Sequence, residues 1–368
     1  MPAAAGPRDP ATTDPATTDV ELRHVRARFT PDTIYLDTPT YGLPPDTVVA
    51  AMRTGLDRWR RGVATPSEYD EAVDRSRELF AELVGVAPED VACANQVSVL
   101  VGTVAASLPD GCHVVAVEDD FTSLLFPLLV QQRRGITVTT VPLEGLADAV
   151  DDRTDLVAFS LVQSSDGRLA DLDAVLEAAV RHGARTLVDA THAVGWLPVD
   201  AARTDFLVVG TYKWLLSPRG TAFLAVRPER HEELRPVAPG WYAGEDVWGS
   251  IYGPEMRLAS SARSADVSPA WLCWVGTVPA LELIAEVGVA AIHRHDVALA
   301  DRLRGELGLP PSGSAIVSIP TDGAVDLAAH GITASVRAGS LRVGCHLYND
   351  VRDVEALVAA LGPAVRRS

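Results

Sequence analysis

The sequence predicts an α/β fold, with a mostly parallel sheet covered by helices on both faces and a small α+β lobe towards the C-terminal end. Three observations carry that expectation. The strand-like runs are short and almost continuously apolar, as in strands buried on both faces. Helix-like stretches with apolar residues three and four apart separate them. At 368 residues the chain can bury a large core and still form a second lobe.

In chain order, the expected strands are HVVAV (113–117), ITVTTV (136–141), DLVAFSL (155–161), RTLVDA (185–190), DFLVVG (205–210) and TAFLAV (221–226). SLLFPLLVQQRR and DLDAVLEAAVRHG supply helices between them. The pattern weakens after residue 230, where VAPGWYAGEDVWGSIYGP is rich in Gly, Pro and Trp and reads as an excursion. The stretch PAWLCWVGTVPALELIAEVGVAAIHRHDVALADRLRGEL then reads as long and helical. AIVSIP, ASVRAG, SLRVGCHLY and VRDVEALVAALGPAV complete the small lobe. Residues 1–20, with a repeated polar ATTDP-like tract and no apolar core, read as a disordered tail and not an export signal. The expected division is a large domain over 21–245, whose first residues contribute to the small one, and a small domain over 246–368.

Composition narrows the function. A formal net charge of −17 argues against a nucleic-acid or anionic-membrane surface, since both need basic patches. The four cysteines, Cys93, Cys112, Cys273 and Cys345, form no CxxC pair, which fits a reducing cytoplasm with no disulfide framework and no zinc site. His293 and His295 lie two apart on a helix, which points their side chains apart. No apolar run reaches membrane-span length without charges.

One residue stands out against this background. Of 32 basic side chains, 31 are arginine, and the single lysine is Lys213 in GTYKWLLSPRG. A position needing only positive charge would take arginine here. A lysine amine, once desolvated, loses its proton and becomes a nucleophile or base, which guanidinium does not. Lys213, Asp189 and Ser164 follow apolar strands, at the sheet end where such folds collect ligands. A strand-end aspartate followed by a strand-end lysine about two dozen residues later is an arrangement that holds pyridoxal phosphate. ANQVSVLVG adds a helix opening whose free N–H groups at Gln96 and Val97 would hold the phosphate.

The stretches YLDTPTYGLPP, TLVDATHAVG, GTYKWLLSPRGTAFL and LRVGCHLYN resemble the fold-type I, class V aminotransferase-like enzymes. Those enzymes include cysteine desulfurases, isopenicillin N epimerase-like proteins and ergothioneine-pathway C–S lyases, and KWLLSPRGTAFL is most similar to the epimerase-like and C–S lyase branch. The resemblance implies a large domain with a mostly parallel seven-stranded sheet and pyridoxal 5'-phosphate as cofactor. By it, Lys213 carries the cofactor aldehyde and then serves as the Cα base, while Asp189 pairs with the pyridine nitrogen. His192 falls where relatives often have glutamine near the phenolic oxygen, and would donate a hydrogen bond or relay a proton. Phe121 falls where many relatives stack a histidine on the ring. Thr211 and Tyr212 fall where a hydroxyl or imidazole commonly adds a phosphate contact. Ser164 replaces an asparagine that commonly meets the cofactor. Ser268 matches a hydroxyl donated by the partner subunit, which implies a homodimer sharing its active sites. Arg342 matches the clamp for the substrate's α-carboxylate, with Tyr41 on the substrate side.

The departures matter too. Desulfurases carry a nucleophilic cysteine on the loop before that arginine, and GITASVRAGSLRVG has none. Cys345 reads as packed. The favoured expectation is a C–S β-lyase acting on a small amino acid, an S-substituted L-cysteine, within sulfur or natural-product metabolism. Decarboxylation-coupled oxidative deamination of such a conjugate is the alternative, with epimerisation and transamination behind it. A cofactor-bound but catalytically silent protein would lack the lysine or the arginine, and both are present. The aromatic segment holding Trp241, Tyr242, Trp248 and Tyr252 reads as either a substrate wall or interface packing.

Overall fold

The computed structural model describes residues 22–321 and 326–362; the expected tail lies outside them. A two-residue strand β1 (Ile34–Tyr35) leads into helices α1 (Asp46–Arg60) and α2 (Pro66–Val84), then β2 (Val91–Ala94) and α3 (Val97–Ser107). Next come β3 (His113–Val117), α4 (Thr122–Leu129), β4 (Thr137–Val141), β5 (Leu156–Ser160), α5 (Leu172–His182), β6 (Arg185–Asp189), β7 (Phe206–Gly210) and β8 (Ala222–Val226). Helices α6 (Trp271–Val287) and α7 (Val289–Glu306) lead to β9 (Ile316–Ile319), β10 (Ile332–Thr333), β11 (Ser335–Arg337), β12 (Ser340–Gly344) and α8 (Val351–Leu361).

β2 to β8 form a seven-stranded sheet in the order β2-β8-β7-β6-β5-β3-β4. The pairings β3–β4, β3–β5, β5–β6 and β6–β7 are parallel, and β8 is antiparallel to both its neighbours. Alternate residues of one strand feed different apolar clusters. Val157 and Phe159 face one, Leu156 and Ala158 the other, so both faces are covered. That is why these strands read as unbroken apolar runs. All six expected strands are present to within one residue at each end.

The long helical stretch is corrected. It runs as two helices that meet at 82°. Gly288 at the break has φ 81°, a left-handed backbone that an L side chain rarely adopts. The bend lets α6 pack along α1 and α2 on the large lobe while α7 packs on α8. Leu36 joins residues from Leu299 onward in a third apolar cluster, whereas Trp274 and Ile284 belong to the main core. The apolar division therefore falls within α7. β1 pairs in parallel with β10, and Asp37 bridges to Gly344, so the start of the described chain is stitched into the small lobe.

Candidate active site

The parallel strands β3, β5, β6 and β7 end on the same side, and polar groups gather there. Asp189 is the last residue of β6, its Oδ1 accepting from the Thr191 amide at 2.9 Å. Thr191 Oγ1 in turn accepts from Gly210 N at 2.9 Å, which ties the ends of β6 and β7 together. Lys213 lies three residues past β7, in a tight turn. Two glycines let backbone close over that turn. A Cβ on Gly42 would sit 2.0 Å from the Lys213 carbonyl oxygen, and one on Gly195 would sit 2.5 Å from the Trp214 carbonyl oxygen. Leu216, in the same turn, holds φ at 55°, a left-handed conformation that costs roughly 1–2 kcal/mol outside glycine. The packed surroundings impose it, since Leu216 is buried.

Lys213 is buried, and its Nζ lies 2.5 Å from His192 Nε2. Burial is the main force pushing its ammonium down to about 7; Arg342, Arg219 and Arg337 push the same way, and Asp189 opposes them. Burial likewise pushes the Asp189 carboxyl up to about 6. His192 is held well below the usual imidazole range by burial and by its cationic neighbours. Its Nδ1 accepts from the Trp214 indole at 3.5 Å, which assigns the ring proton to Nε2. That Nε2–H faces Lys213 Nζ and Ser164 Oγ, the latter at 3.1 Å. The Phe121 ring centroid is 5.4 Å and the Tyr212 centroid 5.8 Å from Nζ. Phe121 is 45% exposed, so one face of that ring is unpacked.

The small lobe brings Arg342 in on β12. Its guanidinium is 1% exposed and donates to the Ser164 carbonyl at 2.5 Å and to Thr40 Oγ1 at 2.8 Å, with Asp37 Oδ1 3.8 Å away. Its buried Nε has no partner. Burial first, then Arg337, pushes this guanidinium down to about 10. Tyr41 stands beside the cluster, its ring 6.1 Å from that of Tyr212.

The opening of α3 also reaches this end. Gln96 is its N-cap with no capping side chain, and a Cβ on Gly210 would lie 3.3 Å from both Val97 Cγ2 and Tyr212 Cε1. The Arg219 guanidinium sits 5.0 Å over the Tyr212 ring. An uncapped helix start is a ready anion site.

Residues 34–325 match the Aminotransferase class-V family. The chain belongs to that family. The chain is 31% identical to the Bacillus subtilis (strain 168) aminotransferase YcbU over 62% of this chain and 64% of that one. It is 30% identical to the isopenicillin N epimerase of Streptomyces clavuligerus, over 80% of this chain and 79% of that one. Among solved structures, the cystine C–S lyase C-DES, in complex with its product cysteine persulfide, superposes with a TM-score of 0.82. It covers 90% of this chain and 97% of that one at 19% identity, a likeness of fold.

The cofactor of this class-V enzyme is pyridoxal 5'-phosphate. The residues present fit it: a buried amine beside a buried carboxylate, an uncapped helix start, an unpacked aromatic face and an unpartnered guanidinium nitrogen. Lys213, Asp189, the α3 start, Arg219, Tyr212, Phe121, His192 and Ser164 would hold it.

One expected contact needs correction. The Thr211 hydroxyl is buried and bonded to the Thr221 carbonyl at 3.0 Å and to Thr221 Oγ1 at 2.5 Å, so it presents no free donor to a phosphate. The sequence leaves the aromatic segment open between substrate wall and interface packing. Tyr242 and Trp248 line a separate cavity of about 550 Å³ with Asp70, Asp74 and Arg77, and Tyr242 Oη donates to Asp70 at 3.2 Å. Ser268 is exposed just ahead of α6, and Cys345 is buried with its thiol pushed up by burial. His293 stacks on Trp196 while His295 bonds the Asn349 carbonyl, and no metal-ligand cluster occurs among the described residues. Among the same residues no single helix is long and apolar enough to cross a membrane.

Sequence reasoning missed Asp120, Thr40, Arg219 and Arg337. Asp120 accepts from Ser160 N at 2.7 Å and Ser160 Oγ at 2.5 Å, and its Oδ1 accepts from Phe121 N at 2.7 Å, fixing the Phe121 backbone to the end of β5. Its place three residues past an expected strand and next to Phe121 was the available signal.

Proposed function

We propose that this class-V enzyme is a C–S β-lyase that splits an S-substituted L-cysteine into a thiol, pyruvate and ammonia. One observation carries the choice of reaction. Lys213 and His192, both able to exchange a proton, touch each other, while the ring at the position where many relatives stack a histidine is Phe121, which holds no exchangeable proton. Inversion at Cα needs proton donors on opposite faces. Proton traffic confined to one side suits abstraction followed by loss of a β-substituent.

Pyridoxal phosphate, when bound, supplies an aldehyde for the amine and an electron sink for the Cα electron pair. Lys213, its ammonium pushed down to about 7, carries a free lone pair in a large share of molecules at neutral pH, and would offer it to the aldehyde and afterwards to the Cα proton. Asp189 would hold the pyridine nitrogen in its protonated form. His192 keeps a proton on Nε2 beside the lysine. Arg342 grips the α-carboxylate, its spare Nε–H adding a second prong to the fork. The Cα electrons would then form the Cα–Cβ double bond as the Cβ–S bond breaks and sulfur leaves with its electron pair as thiolate. The 2-aminoacrylate released takes up one water to give pyruvate and ammonia. A second copy of the chain, contributing Ser268, belongs to the same proposal.

The test is incubation of the cofactor-loaded protein with S-propyl-L-cysteine. Equal amounts of propanethiol and pyruvate are expected. Carbon dioxide with oxygen uptake, or accumulation of the D-isomer without thiol, would overturn the assignment.

A further inference from the structure

The stretch before Arg342, where desulfurases carry their cysteine, folds as a tight hairpin of β11 and β12. Ala338 and Gly339 form its tip with φ 45° and 79°, and Arg337 pairs with Ser340 beside it. This hairpin delivers a second guanidinium to the cleft. Arg337 Nη2 donates to Thr40 Oγ1 at 3.2 Å, the same oxygen that accepts from Arg342 Nη2 at 2.8 Å. Two like charges thus meet across one neutral hydroxyl, an arrangement that costs energy unless something negative lies between or beside them. Asp37 is the carboxylate paired with Arg342, and Ser335 Oγ already donates to it at 2.8 Å. Arg342 is buried whereas Arg337 is exposed at the rim. The two guanidiniums share one nearby carboxylate, Asp37, which leaves one positive charge over at this rim.

We propose that Arg337 is a specificity residue, and that the substrate carries a second anionic group, a carboxylate on the sulfur substituent, which Arg337 binds while Arg342 holds the α-carboxylate. The inference rests on Arg342 being the α-carboxylate clamp and extends it to the substrate class. A planar guanidinium at a rim suits a flexible carboxylate arm, because it offers two parallel donors without burying the arm.

The experiment compares two ligands of similar size by calorimetry on the cofactor-loaded protein at low salt: L-2-aminopimelate and L-2-aminoheptanoate. In these a methylene replaces the sulfur of S-(2-carboxyethyl)- and S-propyl-L-cysteine, so that no thiol can be eliminated. The unaltered protein should bind the acid about tenfold more tightly, the scale of one charge-assisted hydrogen bond. Arg337→Gln should bring the two affinities to within about twofold of each other, and Arg337→Lys should keep part of the preference. Equal affinities in the unaltered protein would overturn the inference. So would an Arg337→Gln variant that weakens both ligands by the same factor, since that is the behaviour of a hairpin prop. Arg342→Gln should weaken both ligands alike. If it does not while the Arg337 preference stands, the clamp assignment fails instead. Because binding is read directly, a failure of the lyase reading would show in the products and leave this preference untouched.

Discussion

Two buried cations in this molecule lie near buried aspartates, and they behave oppositely. Arg77 meets Asp266 through Nη2 at 2.8 Å and Nη1 at 3.3 Å, and Asp266 also accepts from Cys93 N at 2.6 Å. Burial works against the Arg77 charge, but Asp266 outweighs it and the guanidinium is held more firmly protonated than usual. Burial pushes Asp266 up as well, opposed by these same donors. Lys213 has no such direct partner. It touches a neutral imidazole, lies among three arginines, and is pushed down because Asp189 offsets only part of its burial. The first site spends its charges on each other and clamps β2 to the segment before α6. The second keeps reactive capacity. A buried charge held by an opposite charge is architecture; one whose burial is only partly offset is chemistry.

The largest expected effect separates the two sites. Lys213→Ala should lower turnover on the order of 10³-fold or more and remove the visible absorption of the bound cofactor, with the melting temperature little changed. Activity within tenfold of the unaltered protein would end the distinction. Asp266→Ala should do the reverse. It leaves Arg77 buried without its carboxylate and should cost about 3–5 kcal/mol in urea unfolding, with a normal absorption band in the fraction still folded. A stable Asp266→Ala protein that loses the band would place both sites in one unit.

The smallest effect is a pH dependence in the cofactor-free protein. Lys213 is pushed down to about 7 when folded against 10.5 when unfolded, so between those values the unfolded chain alone binds the proton. The resulting penalty on stability is fully present below 7, where both states are protonated. The penalty fades as pH rises from about 7 towards 10.5. Lys213→Met should therefore be the more stable form at pH 6.5, with the gap narrowing up to pH 10. A gap that is constant with pH would mean that the amine is ionised where it lies.

The sheet was legible because its strands are buried on both faces and so read as apolar runs. β2 was not, since VACA offers four small residues and no β-branched run. The break at Gly288 was hidden because one glycine is tolerated inside helical patterns. Lys213 and Asp189 were visible through rarity and position. Arg337 was one arginine among 31, and only hairpin geometry brings it to Thr40. Asp120 follows another aspartate in EDDFTS, which reads as a solvated acidic turn until β3 and β5 pair. Thr211 misled because residue type does not reveal which way a hydroxyl turns.

The parallel pairing of β1 with β10, and of Asp37 with Gly344, joins segments about 300 residues apart in the sequence. A ribosome releasing this polypeptide can let the central sheet fold early, since its strands lie between residues 91 and 226. The cationic rim has to wait until the last strand has left the exit tunnel. Nascent chains stalled before that point would expose an assembled lysine cradle without Arg342, and on the proposed function would be inert by construction.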